Sequence, residues 1–297
     1  PSTTIVLVVS LVAIMVVILL GNIMVLLTFY KPLHLTNLPP SLFLITLAVI
    51  DLTLGLTLPF SIVTLFHSTR WILGNFMCQL VGYLNLVCGI LSVHTLAAIA
   101  YDRYVTIQSF RRRSVRKSKR TVAILIFMWL FALSTGVGPL VGWGKYGHLQ
   151  NETTCKVDYN SSPSFTLFLA VTGYALPLVI MVICYSHVYH NVRKATKSIT
   201  PLIYSQSLSQ IISHREAKIL YVCLLIVLVF LLCWSPFVIV HVLYALKWPV
   251  CNELRAITSW IAAANSGCNP IIYMLINTKF RRSILLHLPR CYFYKRS

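Results

Sequence analysis

Apolar residues in this chain do not alternate with polar ones. They run in unbroken blocks near 5–30, 40–66, 76–107, 120–142, 164–189, 217–246 and 254–276, separated by short polar stretches. About 20 helical residues cover the hydrocarbon of a bilayer, and each block reaches that length. The pattern predicts an all-α membrane protein, a seven-transmembrane helix bundle forming a single domain over residues 1–297, with a short amphipathic eighth helix over 278–289 on the cytoplasmic side. The first block is long enough to span, so it is not read as a cleavable signal. The sequence opens at Pro1 without a methionine, and a preceding tail is expected.

Composition agrees: 58% of residues are hydrophobic and 10% charged, with a mean hydropathy of +0.80, whereas soluble chains carry roughly 25% charged residues. A cytosolic enzyme is excluded, and no span presents a nucleophile with a base at helical spacing. The net charge of +19 would point to nucleic acid in a soluble chain, but its location points elsewhere. If the first span runs inward, the inner segments hold Lys31, the run Arg111-Arg112-Arg113 with Arg116, Lys117, Lys119 and Arg120, then Arg193, Lys194, Lys197, Arg215, Lys218 and the tail from Lys279 to Arg296. The outer segments hold Arg70, Lys145, Lys156, Lys247 and Arg255. The positive-inside rule then puts the N-terminus outside and the C-terminus in the cytoplasm of a multi-pass plasma-membrane protein. The basic run reads as topology and contact with anionic membrane lipid, with no nucleic-acid partner.

Two glycosylation sequons, at Asn151 and Asn160, lie in the outer segment between the fourth and fifth spans. Cys88, Cys184, Cys223, Cys233 and Cys268 sit inside apolar spans as small hydrophobes. Cys78, at the outer start of the third span, and Cys155, in the outer loop, share the oxidising side and can pair. Cys251 has no second cysteine in its own loop, and Cys291, after the amphipathic stretch, is a candidate palmitoylation site. Of the acids, Glu152, Asp158 and Glu253 read as solvated loop charges, and Glu216 as one that pairs on its helix surface with Arg215 and Lys218. Asp51 in mid-membrane and Asp102 near the inner end of the third span are functional candidates, because an ionisable group within a span is expensive. The plainer reading of Asp51 is an acid satisfied by neighbouring hydroxyls and amides.

Together these residues resemble the rhodopsin-like (class A) G-protein-coupled receptors. The resemblance rests on Asn22 after Gly21 in the first span, Leu47-Ala48 leading to Asp51 in the second, and Asp102-Arg103-Tyr104 closing the third. It continues with Trp129 in the fourth, Pro177 and Tyr185 in the fifth, Cys233-Trp234-Ser235-Pro236 in the sixth, and Asn269-Pro270-Ile271-Ile272-Tyr273 in the seventh. Prolines remove backbone hydrogen bonds and kink spans, and kinked helices can hold two packings of similar energy. The resemblance implies that Glu216 holds Arg103 across the third and sixth spans at rest. Releasing that pair would open a cytoplasmic cavity for a heterotrimeric G protein, with Tyr185 and Tyr273 swinging inward. A transporter is the remote alternative, and neither a continuous polar path nor an internal repeat of broken helices supports it.

Within the family, amine receptors carry an aspartate where this chain has Asn85, so an amine would lack a counter-ion. The run Gly142-Trp143-Gly144-Lys145-Tyr146, the short third inner loop near Ser198 to Ser213, and Asn277-Thr278-Lys279-Phe280-Arg281-Arg282 are similar to opsins. The position of the opsin retinal-linking lysine is Ala263, which excludes a Schiff base there. Melatonin-like receptors and orphan receptors remain, including an orphan receptor that signals constitutively, as do opsin-related receptors without covalent retinal. Helical faces extrapolated from the motifs place Asn85, Leu86, Gly89, Leu169, Gly173, Trp234, Phe237, His241, Tyr244, Ser259 and Ala263 around an outer pocket. That mostly apolar lining suits a small lipophilic extracellular ligand. His94 reads as an interhelical histidine. No covalent cofactor is expected, but Asp51, Ser92, Asn265, Ser266 and Asn269 converge as a site for an allosteric sodium ion, which the resemblance also implies. The reading is of a receptor that turns ligand binding into nucleotide exchange on a G protein through motion of the sixth helix.

Overall fold

A backbone surrounded by hydrocarbon must satisfy its N–H and C=O groups within itself, and a helix does so residue by residue. The computed structural model describes residues 2–30, 38–108, 116–149, 152–199 and 206–276. The seven spans are α1 (Ser2–Tyr30), α2 (Leu38–Phe66), α3 (Gly74–Gln108), α4 (Arg116–Val137), a three-part fifth span, α7 (Gln206–Ala245) and α8 (Asn252–Ile276). The fifth consists of α5 (Pro163–Leu169), a π-helical turn (Ala170–Ala175) and α6 (Leu176–Ile199). The expected amphipathic helix over 278–289 and Cys291 lie outside the described residues.

Among the described residues, six of the seven spans are long and apolar enough to cross a membrane, and α8 falls short. Arg255, Asn265, Ser266 and Asn269 account for much of that deficit, and all four are buried inside the bundle. The outward faces carry large apolar side chains such as Val6, Leu130, Ile239 and Leu275, each about 60% exposed. In water these would be an aggregation surface; in a bilayer they are the lipid contact.

Helix α3 runs through the middle. On one side its Val93, Leu96, Ala97 and Ala100 pack with Met181, Cys184, Tyr185 and Phe230 of α6 and α7. On another, Val87, Leu91 and Ala98 pack with Ile50 of α2 and Met128 and Ala132 of α4. Helices α1 and α8 approach closely because Gly21 lacks a side chain: a Cβ there would lie 2.8 Å from Pro270 Cγ.

Prolines lie within the spans where the sequence places them and at one further position. Pro59, Pro236 and Pro270 lie inside α2, α7 and α8. Pro177 sits at the second position of α6, just after the π turn, where Leu176 N–H reaches back to Val171 O. Proline offers no N–H to the preceding turn, so an extra residue is accommodated there instead of a simple bend. The turn is anchored by Tyr174, whose hydroxyl lies 2.6 Å from Ser235 Oγ and whose ring stacks on Phe230.

The outer loop departs from the all-helical expectation. Residues Tyr146–Gly147 (β1) and Lys156–Val157 (β2) form a small antiparallel hairpin with Tyr146 opposite Val157. The Cys78–Cys155 disulfide ties it to α3. Gly142 and Gly144 reach φ of +99° and +100°, a region costly for other residues, and thereby turn the chain so that Trp143 packs on Phe165.

Candidate ligand pocket and switch sites

The hairpin roofs a cavity of about 190 Å³ between α2, α3, the fifth span, α7 and α8. Ten of the residues placed there from sequence line it: Asn85, Leu86, Gly89, Leu169, Gly173, Trp234, Phe237, His241, Ser259 and Ala263. Tyr244 does not. Its ring lies 4.2 Å beneath the guanidinium of Arg255, so that one helical face was extrapolated a turn too far. Trp234 meets Phe237 edge to face, and its indole lies across from Gly89. Asn85 joins three elements: its Oδ1 accepts from Thr57 Oγ1 at 3.0 Å and its Nδ2 donates to Cys155 O at 3.4 Å.

The roof contains what the sequence reading missed. Glu152, taken for a solvated loop charge, is 1% exposed, and Lys156 and Arg255 are buried beside it. Lys156 Nζ lies 2.9 Å from Glu152 Oε2, 2.7 Å from Ser259 Oγ and 3.1 Å from His241 Nε2. His241 Nδ1 donates to Phe237 O at 2.8 Å, which leaves Nε2 as the acceptor facing the ammonium. Burial pushes the Lys156 amine down from lysine's ordinary pKa, and Glu152 pulls it back up. Arg255 Nη1 lies 3.6 Å from Glu152 Oε1. Among the described residues, Lys156 is the sole charged one lining the cavity. One signal could have found it: it directly follows Cys155, whose disulfide draws the adjoining residue over the mouth of the bundle.

Deeper, Asp51 is fully buried and its Oδ2 accepts from Asn269 Nδ2 at 2.8 Å. Asn22 Nδ2 donates to Ser266 O at 3.2 Å and to Ile18 O at 2.9 Å. Asp51 Oδ1, Ser92 Oγ and Asn265 Nδ2 are buried without a hydrogen-bond partner. An amide turned over presents its oxygen instead, so a carboxylate, hydroxyls and amides here fit a small hard cation with oxygen ligands. His94, expected as an interhelical histidine, makes its hydrogen bond within α3, Nδ1 donating to Ile90 O at 2.8 Å, while its ring packs on Phe131 of α4.

At the inner end, Asp102 is buried and accepts from Arg120 Nη2 of α4 at 3.3 Å. Arg103 next to it is exposed. Tyr104 packs against His187, and Tyr185 and Tyr273 sit in or against the α3–α6–α7 core. Glu216 belongs to α7, but its side chain lies outside the described residues, as do the side chain of Cys223 and all of Asn151. Asn160 accepts a hydrogen bond from Lys247, and Cys251 is exposed and unpaired.

A seven-span bundle with a roofed cavity near its outer face and an acid–base pair at its inner end has the layout of a seven-transmembrane receptor. Residues 21–273 match the family model described as "7 transmembrane receptor (rhodopsin family)", and the chain belongs to that family. It is 29% identical over 288 residues to a protein named "Rhodopsin, GQ-coupled" from Mizuhopecten yessoensis, covering 91% of this chain and 57% of that one. It is 32% identical over 287 residues to melanopsin from Felis catus, covering 91% and 58%. The crystal structure of squid rhodopsin superposes with a TM-score of 0.82 at 27% identity, covering 96% of this chain and 85% of that one. The chain thus falls on the opsin branch and spans under three-fifths of the length of these two curated relatives.

Proposed function

We propose that this chain is a G-protein-coupled receptor of the plasma membrane, its N-terminus outside and its C-terminus in the cytoplasm. An extracellular small molecule with an apolar body enters the cavity, and motion of α7 converts its binding into nucleotide exchange on a heterotrimeric G protein. The observation that carries this reading is the continuity of α7. One helix holds Trp234, Phe237 and His241 on the cavity wall, Pro236 in its interior and Glu216 towards the cytoplasm. A ligand that prefers one packing of this helix shifts the balance towards it. With alanine at position 263, the receptor is opsin-related without retinal linked at that position. Sodium at Asp51, Ser92, Asn265, Ser266 and Asn269 belongs to the same proposal, and the unpartnered oxygens of Asp51 and Ser92 support it.

The test is nucleotide exchange on a panel of purified G proteins by the full-length receptor without added ligand. Gq comes first, since the Mizuhopecten yessoensis relative is named for that coupling. Exchange on one class, increased by Glu216→Ala, is the expected outcome. Silence on every class for wild type and variant alike would sink the reading.

A further inference from the structure

The roof of the cavity does not balance its charge. Lys156 and Arg255, both at least nine-tenths buried, share one carboxylate, Glu152. Lys156 holds it at 2.9 Å, while Arg255 Nη1 stands off at 3.6 Å from Oε1. Nη1 and Nε of Arg255 and Oε1 of Glu152 are all buried without a hydrogen-bond partner. The guanidinium is otherwise held by Asn252 Oδ1 at 2.5 Å and the Tyr244 ring. Taking a cation out of water without an anion of its own is expensive, and a shared carboxylate offsets only part of that cost.

A second anion would complete the arrangement, and only one of the two cations can receive it from the cavity. Lys156 lines the space and Arg255 does not. From the chemistry of this site we infer that the ligand is an amphipathic carboxylate, its apolar body lying between Leu86, Trp234 and Phe237 and its head group meeting Lys156 Nζ. This deepens, and rests on, the reading of the cavity as the receptor's ligand site. The incoming carboxylate takes the place of Glu152 or Ser259 at the ammonium, and Glu152 closes on the unpartnered Nη1 and Nε of Arg255. Two cations then face two anions. Because Arg255 lies on α8 and Glu152 in the loop, the exchange also draws the roof towards the seventh span.

The test is direct binding of three probes with the same apolar body, dodecanoate, dodecanol and dodecanal, to the full-length receptor in neutral phosphatidylcholine nanodiscs, where no lipid carboxylate competes. Wild type should bind dodecanoate roughly tenfold or more tightly than dodecanol, the effect of one charge-assisted contact away from water. Lys156→Met should erase that preference, and Lys156→Arg should keep part of it. Each of these variants leaves Glu152 with at least one buried cation, and a thermal unfolding curve checks that each is folded. Arg255→Gln is the discriminating variant. It lies off the cavity wall, yet it should weaken dodecanoate several-fold and leave dodecanol unchanged, because Glu152 then stays with Lys156.

Equal binding of acid and alcohol by wild type, absence of dodecanoate binding, or a preference that survives Lys156→Met overturns the proposal. So does preferential capture of dodecanal that borohydride makes permanent: the Lys156 amine and the aldehyde would then have formed an imine with loss of water, and the head group would be a carbonyl. Nucleotide exchange by the same wild-type preparation decides the receptor reading separately, since head-group preference is read from binding alone.

Discussion

Asp51 is the residue whose surroundings give the sharpest expectation. It is fully buried, one oxygen is held by Asn269 and the other has no partner, with Ser92 Oγ and Asn265 in the same condition. If sodium completes this set in the resting packing, sodium should lower basal nucleotide exchange or weaken agonist binding. Asp51→Asn should remove that sensitivity. A response to sodium identical to that given by N-methylglucamine at equal ionic strength would show Asp51 to be simply a hydrogen-bonded acid. The two bridged cysteines lead to a second expectation. Cys78→Ser and Cys155→Ser should each cost the same surface expression, and the double variant should be no worse than either, because one bond is removed in all three cases. Additive losses in a cell-surface assay would contradict a shared bond.

Among the elements, the close approach of α1 to α8 depends on a single missing side chain. A Cβ on Gly21 would meet Pro270 Cγ and Cβ at 2.8 and 2.9 Å, and proline is a rigid neighbour that cannot swing aside. Gly21→Ala should therefore destabilise the receptor by about 1–3 kcal/mol, as overpacking does in a well-filled interior, and lower its thermal midpoint in detergent. A midpoint equal to wild type would mean that the two helices can separate freely. Element boundaries also show where pattern reading stops. The apolar block of the sixth span begins near 217, but α7 begins at Gln206. Apolar sequence ends where the bilayer ends, whereas hydrogen-bonded helix continues past it with polar residues, so α7 starts earlier than its apolar block does. The π turn before Pro177 was equally hidden, since a proline predicts lost hydrogen bonds but not which neighbouring contact, here Tyr174 with Ser235, makes good the disturbance.

For the molecule as a whole, the expectation concerns the balance between resting and active packings. Asp102 is engaged by Arg120 of α4, which leaves Arg103 exposed at the inner end of α3 beside it. If Glu216 of α7 holds Arg103 at rest, Glu216→Ala should raise basal exchange with near-normal surface expression, and Arg103→Ala should abolish coupling. Unchanged basal exchange in Glu216→Ala would count against the lock.

Much of this molecule was legible in its residues taken in order. Blocks of apolar sequence dictate spans because the hydrocarbon is thick and the backbone must be satisfied internally, and one motif per span ordered them into a recognisable bundle. The same motifs placed ten residues on the cavity wall, since helical periodicity carries a face forward from a known position. Periodicity does not extend into a loop. Whether Glu152, Lys156 and Arg255 lie in water or under a roof depends on where the disulfide and the β1–β2 hairpin set the chain, and on α8 bringing Arg255 to meet it. Burial and charge pairing between segments distant in sequence are properties of packing, so only the tertiary structure could turn two loop charges and one at a helix start into a buried cluster over the cavity.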